Sequence, residues 1–316
     1  MLILGRDEIE ALIDWRLAAD AVEAAYRAAS AGRVVLPPVG HIALGEEGAD
    51  CHIKYGHVVG DPFFVVKIAT GFPGNAAFGL PTGNGLSLVL STRTGAVEAV
   101  LHDEMAMTDI RTGLGGAVAS RLLARPDSRR ILIVGTGVQA RRQVEAHATL
   151  FGRDVAVALW GRSDGAAHDA VTDQSAIADI SVAGNLETAC RAADIIVTAT
   201  GASAPLVMAD WVRPGTHVTA VGADAPGKQE LDIALVARAD GLFCDHRGQC
   251  LDHGELSHAA RAGLLNGRAI TEIGEALAEP ERGRIADAHV TVADLTGIAA
   301  QDIAIAGVVL DAHRAE

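Results

Sequence analysis

Apolar and polar positions follow different patterns in successive parts of the chain, and each pattern predicts a different kind of structure. Residues 7–31 carry apolar side chains at helical spacing and end at Gly32, so they predict one or two helices. From Pro37 to about Leu101 the chain changes to short β-type runs separated by Gly and Pro. These runs predict an antiparallel sheet, with the sequence TRTG as a hairpin turn.

The second half of the chain alternates between apolar strands and helical segments. A helical stretch, TDIRTGLGGAVASRLLA, stops at Arg125 and Pro126. After the polar link PDSRR come the apolar runs ILIVG, VAVALW, DIIVTAT, HVTAVGA and GLFCD, and HVTVADLTGIAAQDIAIAGVVLDAH predicts a last strand and a Gly/Ala-rich helix. This alternation predicts a doubly wound parallel sheet. The fold class is therefore α/β, with a nucleotide-binding domain inserted between an N-terminal α+β region and a C-terminal helix.

Composition and charge exclude several classes of function. The 316 residues, with 49% hydrophobic and 21% charged positions, predict a compact globular protein of two domains. A net charge of -14 disfavours nucleic acid as a partner, because phosphate backbones are bound by clustered Lys and Arg. The start MLILGRDEIEALIDW lacks the features of a signal peptide, and no apolar run is long enough to span a membrane. Four scattered cysteines fit reduced thiols, so we expect a cytoplasmic protein.

The sequence ILIVGTGVQA (131–140) has the spacing GxGxxA between an apolar strand and a helical run. Gly135 permits the tight turn, Gly137 leaves room for a pyrophosphate, and Ala140 lets helix and strand pack closely. The order of strand, loop and helix therefore predicts a Rossmann dinucleotide site. We predict cofactor contacts from this loop, from the end of the next strand and from two later positions: Gly135, Thr136, Gly137, Val138, Gln139, Arg162, Ser163, Thr200 and Val221.

The cofactor is either NAD(H) or NADP(H). The second strand ends at Gly161, where an NAD-selective site usually carries an acid for the ribose hydroxyls. Arg162 and Ser163 follow and could accept a 2′-phosphate, which favours NADP slightly. Alternatively, Arg162 is a solvated loop residue and Asp164 reaches the ribose.

One carboxylate stands in the loop AVGADAPGKQEL (220–231), after the apolar run HVTAVG. In doubly wound sheets ligands bind beyond the carboxyl ends of the strands, so Asp224 would lie near a nicotinamide ring and could transfer a proton. Its alternative role is to cap a turn.

Four further basic positions suggest anion binding. Lys67 interrupts the apolar strand FFVVKIA, so it either pairs with an internal acid, awaits a substrate carboxylate or reaches water from an edge strand. Arg111 suits bidentate carboxylate binding or a structural salt bridge. His52 and Lys54 project from one face of a strand, which could also be a solvated outer face. His253 and His258 lack the spacing of paired metal ligands, and we predict no metal.

Taken together, these segments resemble the ornithine cyclodeaminase and mu-crystallin family over most of the chain. The pieces that carry the resemblance are VKIATGFPGN, GLPTGNG, DIRTG, ILIVGTGVQA, AVGADAPGKQEL and HVTVADLTGIAAQD. The resemblance implies a Rossmann domain over residues 114–294. It also implies a substrate-binding and dimerisation domain over 1–113 plus 295–316, and a homodimer.

The resemblance also implies roles for individual residues. Asp224 resembles the family's catalytic acid, Lys67 and Arg111 its carboxylate binders, and Thr82 a threonine that helps to hold the substrate. The shared chemistry is hydride transfer between a 2-amino acid and its imine. Cyclodeaminases return the hydride, whereas reductases and dehydrogenases release the changed cofactor.

Two departures from the family pattern bear on the substrate. The chain reads LPPVGH at 36–41, so an arginine that often follows the Pro-rich turn is absent or moved. Lys54 stands where ornithine-cyclising members resemble one another in having a glutamate, and a lysine there would attract a second carboxylate. The sequences HIKYGH and TVADLTGIAAQD also resemble those of the family branch that contains iminosuccinate reductases and ectoine-utilisation oxidoreductases.

We therefore expect an NAD(P)H-dependent reductase that converts iminosuccinate into aspartate. In it Lys67 and Arg111 would hold the α-carboxylate, and His52 and Lys54 the distal one. The alternatives are an ectoine-degradation oxidoreductase acting on diaminobutyrate-type substrates, an ornithine cyclodeaminase, and a non-enzymatic protein that binds NADPH and a small ligand as mu-crystallin does.

Overall fold

The computed structural model describes residues 1–45, 48–152 and 154–316, which fall into two compact units. Unit 1 comprises Met1–Arg111 and Ala299–Glu316, and unit 2 comprises Thr112–Ile298. The structure therefore divides the chain at 111/112 and 298/299. The domain boundaries predicted from the sequence, 113/114 and 294/295, lie two and four residues from these positions. The second unit is thus inserted into the first.

The first part of the chain contains seven strands and three helices among its described residues. In chain order they are β1 (Leu2–Gly5), α1 (Arg6–Leu12), α2 (Trp15–Ser30), β2 (Val34–Val35), β3 (Gly40–Leu44), β4 (Ala49–Val58), β5 (Phe63–Gly71), β6 (Gly83–Ser91), β7 (Val97–His102) and α3 (Ala106–Leu123). The predicted helical region 7–31 is confirmed as α1 and α2, and the Asp14 side chain begins α2 by accepting the Arg16 and Leu17 N–H groups.

Unit 1 is built on a sheet with the order β1-β7-β6-β5-β4-β2, and β3 also pairs with β4. The pairs from β2 to β7 are antiparallel, as predicted, and the turn TRTG joins β6 to β7 with Gly95 at a φ of 70°. The apolar and polar pattern does not predict β1, which pairs in parallel with β7.

The second part of the chain alternates strands and helices. The elements are β8 (Arg130–Val134), α4 (Val138–Phe151), β9 (Ala156–Trp160), α5 (Asp164–Gln174), β10 (Asp179–Val182), α6 (Leu186–Ala192), β11 (Ile195–Thr198), β12 (Ser203–Val207), β13 (His217–Ala220), β14 (Gln229–Leu231), α7 (Ile233–Arg238), β15 (Gly241–Cys244), α8 (Arg247–His253), α9 (Glu255–Arg261), β16 (Ile270–Glu272), α10 (Ile273–Ala278), β17 (Thr291–Asp294) and α11 (Ala299–Ala315). Short 3₁₀ turns occupy Pro73–Phe78, Ala209–Trp211 and Pro280–Arg282.

Unit 2 contains a parallel sheet in the order β10-β9-β8-β11-β13-β17-β15-β16. The strand order reverses between β8 and β11, which is the switch point at which doubly wound sheets bind ligands. The five apolar runs that predict strands are confirmed as β8, β9, β11, β13 and β15. Buried aliphatic side chains cover both faces of the sheet, as expected for parallel strands.

The last helix, α11, belongs to unit 1 and packs against α2, β4 and β5. Its buried face carries two polar residues, Gln301 and Asp302, which are 1% and 3% exposed. Gln301 Nε2 donates to the Tyr26 hydroxyl of α2 at 3.0 Å. No helix among the described residues is long and apolar enough to cross a membrane.

Candidate active site

The loop between β8 and α4 has the geometry of an anion site. Gly135 has a φ of 135°, and a Cβ there would lie 2.5 Å from the Ala199 carbonyl oxygen, so the position requires glycine. Gly137 is the N-cap of the 14-residue α4, and a Cβ at this position would meet nothing within 4 Å. The N–H groups that begin α4 therefore face open space, which suits a pyrophosphate.

A cavity of about 450 Å³ opens beside this loop, within the size range of small-ligand sites. Its lining comes from β12 and from the ends of β8, β9 and β11, at the switch point of the parallel sheet. Five of the predicted cofactor residues line it: Gly135, Thr136, Gly137, Arg162 and Thr200. This cavity and loop fit a dinucleotide.

The other four predicted cofactor residues do not line the cavity. Val138 begins α4 and is 58% exposed, Gln139 follows it, and Val221 is buried after β13. The Ser163 hydroxyl oxygen accepts the Ala166 N–H at 3.3 Å and caps α5. The hydroxyl group of Ser163 is thus engaged in capping, whereas Arg162 is the one charged residue among the described lining.

Glu230, for which the sequence alone predicts no role, bonds to Thr200 of the cavity lining. Its buried carboxylate accepts Thr198 Oγ1 at 2.6 Å, the Thr200 N–H and hydroxyl at 2.6 and 2.7 Å, and the Gly222 N–H at 2.8 Å. Burial raises the pKa of Glu230, although these four donors oppose the rise. Glu230 therefore ties the end of β11, which lines the cavity, to the loop after β13.

A second buried acid, Glu255, bonds to the backbone of Glu230. The Glu255 carboxyl accepts the N–H groups of Glu230 at 2.5 Å and Leu231 at 3.2 Å. Burial raises the pKa of Glu255 to about 9, so this side chain is protonated at neutral pH. A protonated Glu255 adds no negative charge to this buried region.

Asp224 lies in the loop after β13, four residues beyond Ala220, at the carboxyl end where the sequence predicts it. Its side chain is 51% exposed and its Oδ1 lies 2.5 Å from Lys228 Nζ in the same loop. The lysine holds the carboxylate in one place while leaving half of it accessible. The proton-transfer role of Asp224 stays a prediction.

Unit 1 places two buried cations around one buried carboxylate. Lys67 Nζ, on β5, lies 2.8 Å from Asp302 Oδ1 and donates to Thr108 Oγ1 at 3.2 Å. Arg111 Nε, on α3, lies 3.2 Å from the same carboxylate oxygen, and Arg111 Nη1 donates to Gln301 Oε1 at 3.2 Å. Lys67 is therefore not an edge lysine that reaches water: it is 5% exposed and pairs with an internal acid.

The charged groups around Asp302 shift one another's pKa values. Burial lowers the pKa of Lys67 to about 8, with Asp302 opposing the shift and Arg111 and Lys54 adding to it. Burial would raise the pKa of Asp302, but the charges of Lys67, Arg111 and Lys54 together lower it. Asp302 is thus ionised and compensates one of the nearby cations. Asp302 ends the sequence HVTVADLTGIAAQD, but no local pattern predicts a role for it.

Lys54 and His52 project from the sheet face that carries Lys67. Lys54 on β4 is directly opposite Lys67 on β5, and His52 is directly opposite Ala69. His52 Nε2, however, lies 3.0 Å from Asp50 Oδ2, so an acid already contacts this imidazole. Thr82 lines another cavity of about 150 Å³, whose described lining includes neither Lys67 nor Arg111.

Comparison with known proteins gives one family. A model of the ornithine cyclodeaminase/mu-crystallin family matches residues 1–316. The chain is similar to a putative dehydrogenase of Rhizobium meliloti (38% identical, covering 97% of this chain and 94% of the relative). It is also similar to the alanine dehydrogenase of Archaeoglobus fulgidus (36%, covering 98% and 94%) and to the iminosuccinate reductase of Paracoccus denitrificans (31%, covering 98% and 96%).

Solved structures that are similar over the whole chain include three with a bound dinucleotide. They are an archaeal alanine dehydrogenase dimer with bound NAD (TM-score 0.90, 34% identical, covering 96% of that chain) and the iminosuccinate reductase of Paracoccus denitrificans with NAD+ (0.89, 30%, 97%). The third is the Δ1-pyrroline-2-carboxylate reductase of Thermococcus litoralis with NADH and L-proline (0.92, 26%, 98%).

Proposed function

The chain belongs to the ornithine cyclodeaminase/mu-crystallin family, and from this premise we propose that it reduces iminosuccinate to L-aspartate with NAD(P)H. It is an NAD(P)-dependent oxidoreductase that acts on imine and amino groups, and its fold is that of the family's NAD-binding dehydrogenases. The choice of iminosuccinate rests on the charges of unit 1.

The observation that carries the proposal is an excess of positive charge. Three cationic side chains, those of Lys54, Lys67 and Arg111, act electrostatically on the buried carboxylate of Asp302. Asp302 and the buried Asp103, whose carboxyl also interacts with Lys67, offset part of this positive charge, and we propose that the remainder attracts the anionic groups of a substrate. A substrate with two carboxylates matches this excess, and one with a distal amine would be repelled.

The proposed reaction assigns a task to each residue. A bound nicotinamide supplies the hydride that reduces the imine carbon. Asp224, held by Lys228, would pass a proton to the imine nitrogen and so yield the amine. Lys67 and Arg111 would bind the α-carboxylate, His52 and Lys54 the distal carboxylate, and Thr82 would contribute a further substrate contact.

A second candidate substrate is a monocarboxylate imine such as Δ1-pyrroline-2-carboxylate. The observation in its favour is Asp50, whose carboxylate contacts His52 at 3.0 Å and adds a negative charge where the distal carboxylate would bind. One of the structurally similar enzymes is a reductase of this kind. The positive charge of Lys54 favours a dicarboxylate substrate, and the negative charge of Asp50 favours a monocarboxylate.

The choice of dinucleotide rests on Arg162. Because this guanidinium lines the cavity at the end of β9, we propose that it accepts a 2′-phosphate and favours NADPH over NADH. Replacement of Arg162 by Ala should then raise the Kd for NADPH about tenfold, because one charged contact is lost. The Kd for NADH should stay nearly unchanged.

We also propose a cytoplasmic homodimer. The similar archaeal alanine dehydrogenase is a dimer. The four cysteines, Cys51, Cys190, Cys244 and Cys250, are free thiols, which suits a reducing compartment.

The test is a substrate panel with both cofactors, followed through the absorbance of the reduced cofactor. We expect the highest kcat/KM with iminosuccinate, formed from oxaloacetate and ammonia. A higher kcat/KM with Δ1-pyrroline-2-carboxylate would select the second candidate. Proline formed from ornithine with no net change in cofactor would reject both reductase proposals.

A further inference from the structure

Strands β3 and β4 bring two imidazoles and a carboxylate together on one face of the sheet of unit 1. His41 on β3 is directly opposite His52 on β4. Asp50 precedes His52 by two residues on β4, so the three side chains share one face of the sheet. We refer to these three residues as the His-Asp cluster.

The ligand atoms of the His-Asp cluster are close enough to surround one ion. They all lie within 4.8 Å of one another. His52 Nε2 lies 3.0 Å and His41 Nε2 4.0 Å from Asp50 Oδ2, and the imidazole centroids are 4.7 Å apart. A tetrahedral Zn²⁺ with bonds of about 2.1 Å needs ligand atoms roughly 3.4 Å apart, so small rotations would complete the site. The His41 side chain is 52% exposed and has room to rotate.

We propose that His41, Asp50 and His52 form a binding site for a divalent transition-metal ion of the Zn²⁺ type. Two imidazole nitrogens and one carboxylate oxygen suit Zn²⁺, Co²⁺, Ni²⁺ or Cu²⁺, whereas Mg²⁺ and Ca²⁺ require more oxygen ligands. All three side chains are at least one-third exposed, so water can take the fourth position.

Two features of the sheet set the strength of this site. The antiparallel pairings of β4 with β3 and β5 fix the backbone positions of all three ligands, which limits the entropy lost on binding. Lys54, two residues beyond His52 on the same face, places a positive charge beside the ion and weakens its binding. Removal of this charge should therefore tighten metal binding.

The experiment measures Zn²⁺ binding by calorimetry and Co²⁺ binding by visible absorption, with protein that carries no histidine tag and no substrate. We expect one ion per chain. His41→Gln, His52→Gln and Asp50→Asn should each weaken Zn²⁺ binding by at least about tenfold. Even mutation of a residue that only bonds to a metal ligand typically lowers metal affinity by about 10- to 100-fold. Lys54→Met should tighten it by a few-fold. Far-ultraviolet circular dichroism checks that each variant is folded.

The matched control is His57→Gln, because His57 lies on the same strand but on its other face. Equal Zn²⁺ affinity in wild type and in His57→Gln, with loss in the three ligand variants, supports the site. Failure of wild type to bind Zn²⁺, or unchanged affinity in His41→Gln and His52→Gln, would overturn the proposal. Because no substrate or turnover is involved, these outcomes are independent of the proposed reaction.

Discussion

Lys67 and Asp302 form a buried ion pair with 2.8 Å between Nζ and Oδ1, although 235 residues separate them in the sequence. The pair joins β5 to α11, and Arg111 shares the same carboxylate oxygen at 3.2 Å. Asp302 thus anchors the last helix on the sheet of unit 1 and also sets the charge available to a ligand.

Removal of the Asp302 charge should destabilise the protein strongly. In Asp302→Asn the two buried cations lose their counter-charge, and breaking a buried pair in this way costs about 3–5 kcal/mol. Urea unfolding measures the loss. Asp311→Asn is the matched control, because this acid lies on the same helix with a 78% exposed side chain, and its loss should stay below about 0.5 kcal/mol. Similar losses in the two variants would show that Asp302 is not a structural anchor.

The KM for a carboxylate substrate should rise with pH because Lys67 loses its charge. Burial lowers the pKa of this lysine to about 8, so the side chain is charged below that pH and neutral above it. KM should therefore be flat below about pH 8 and increase above it, by roughly tenfold per unit of pH once the neutral form dominates. Lys67→Arg keeps its charge at every accessible pH and should remove this increase. An unchanged pH profile in Lys67→Arg would assign the titration to another group.

Local spacing explains which parts of unit 2 could be predicted. The phosphate loop needs a strand, three small residues and a helix within about ten positions, and all of these are visible in ILIVGTGVQA. The long apolar strands are equally visible. Short strands such as β10, β12 and β14 were missed, because pairing with neighbours rather than composition makes these segments extended.

Contacts between distant segments explain what the sequence could not predict. Lys67 could be recognised as a costly buried charge, but its partner Asp302 is fixed only when α11 packs on β5. The His-Asp cluster depends on the register of β3 against β4, which no motif spacing reveals. Glu230 stood within a quoted motif, yet its four donors come from the ends of two strands.

Glu230 should support cofactor binding without contacting substrate. In Glu230→Gln the amide group cannot accept all four hydrogen bonds, so Thr200 and Gly222 lose part of their support. We expect the Kd of the reduced dinucleotide, measured by fluorescence, to rise about tenfold, equivalent to the loss of one buried hydrogen bond. Glu187→Gln is the control, because Glu187 lies on α6 with a 47% exposed side chain and pairs only with a surface arginine in the contacts described here. A Kd that changes equally in both variants would remove Glu230 from the cofactor site.

Asp224 should affect turnover far more than binding. Loss of a general acid typically lowers rates by about 10²–10⁴, so Asp224→Asn should reduce kcat by this amount while the Kd of the dinucleotide changes by less than about twofold. The control is Asp210→Asn, an acid of unit 2 with a 76% exposed side chain, whose kcat should equal that of wild type. A normal kcat in Asp224→Asn would exclude Asp224 as the proton donor.

Lys54 should discriminate between the two candidate substrates. Its charge acts on Asp302 and Lys67, and it projects from the face that carries Lys67, so it is placed to attract a second carboxylate. Lys54→Glu replaces attraction by repulsion. Loss of a charged hydrogen bond, about 1.5–3 kcal/mol, lowers kcat/KM for iminosuccinate by roughly 10- to 150-fold, and the added repulsion should bring the total loss to about 100-fold or more. Activity towards Δ1-pyrroline-2-carboxylate, which has no distal carboxylate, should fall less than about threefold. Lys54→Met separates the loss of attraction from the added repulsion and should give an intermediate value for iminosuccinate. Equal losses for the two substrates would mean that Lys54 supports the sheet rather than the choice of substrate, and the Asp50 charge would then favour the monocarboxylate reaction.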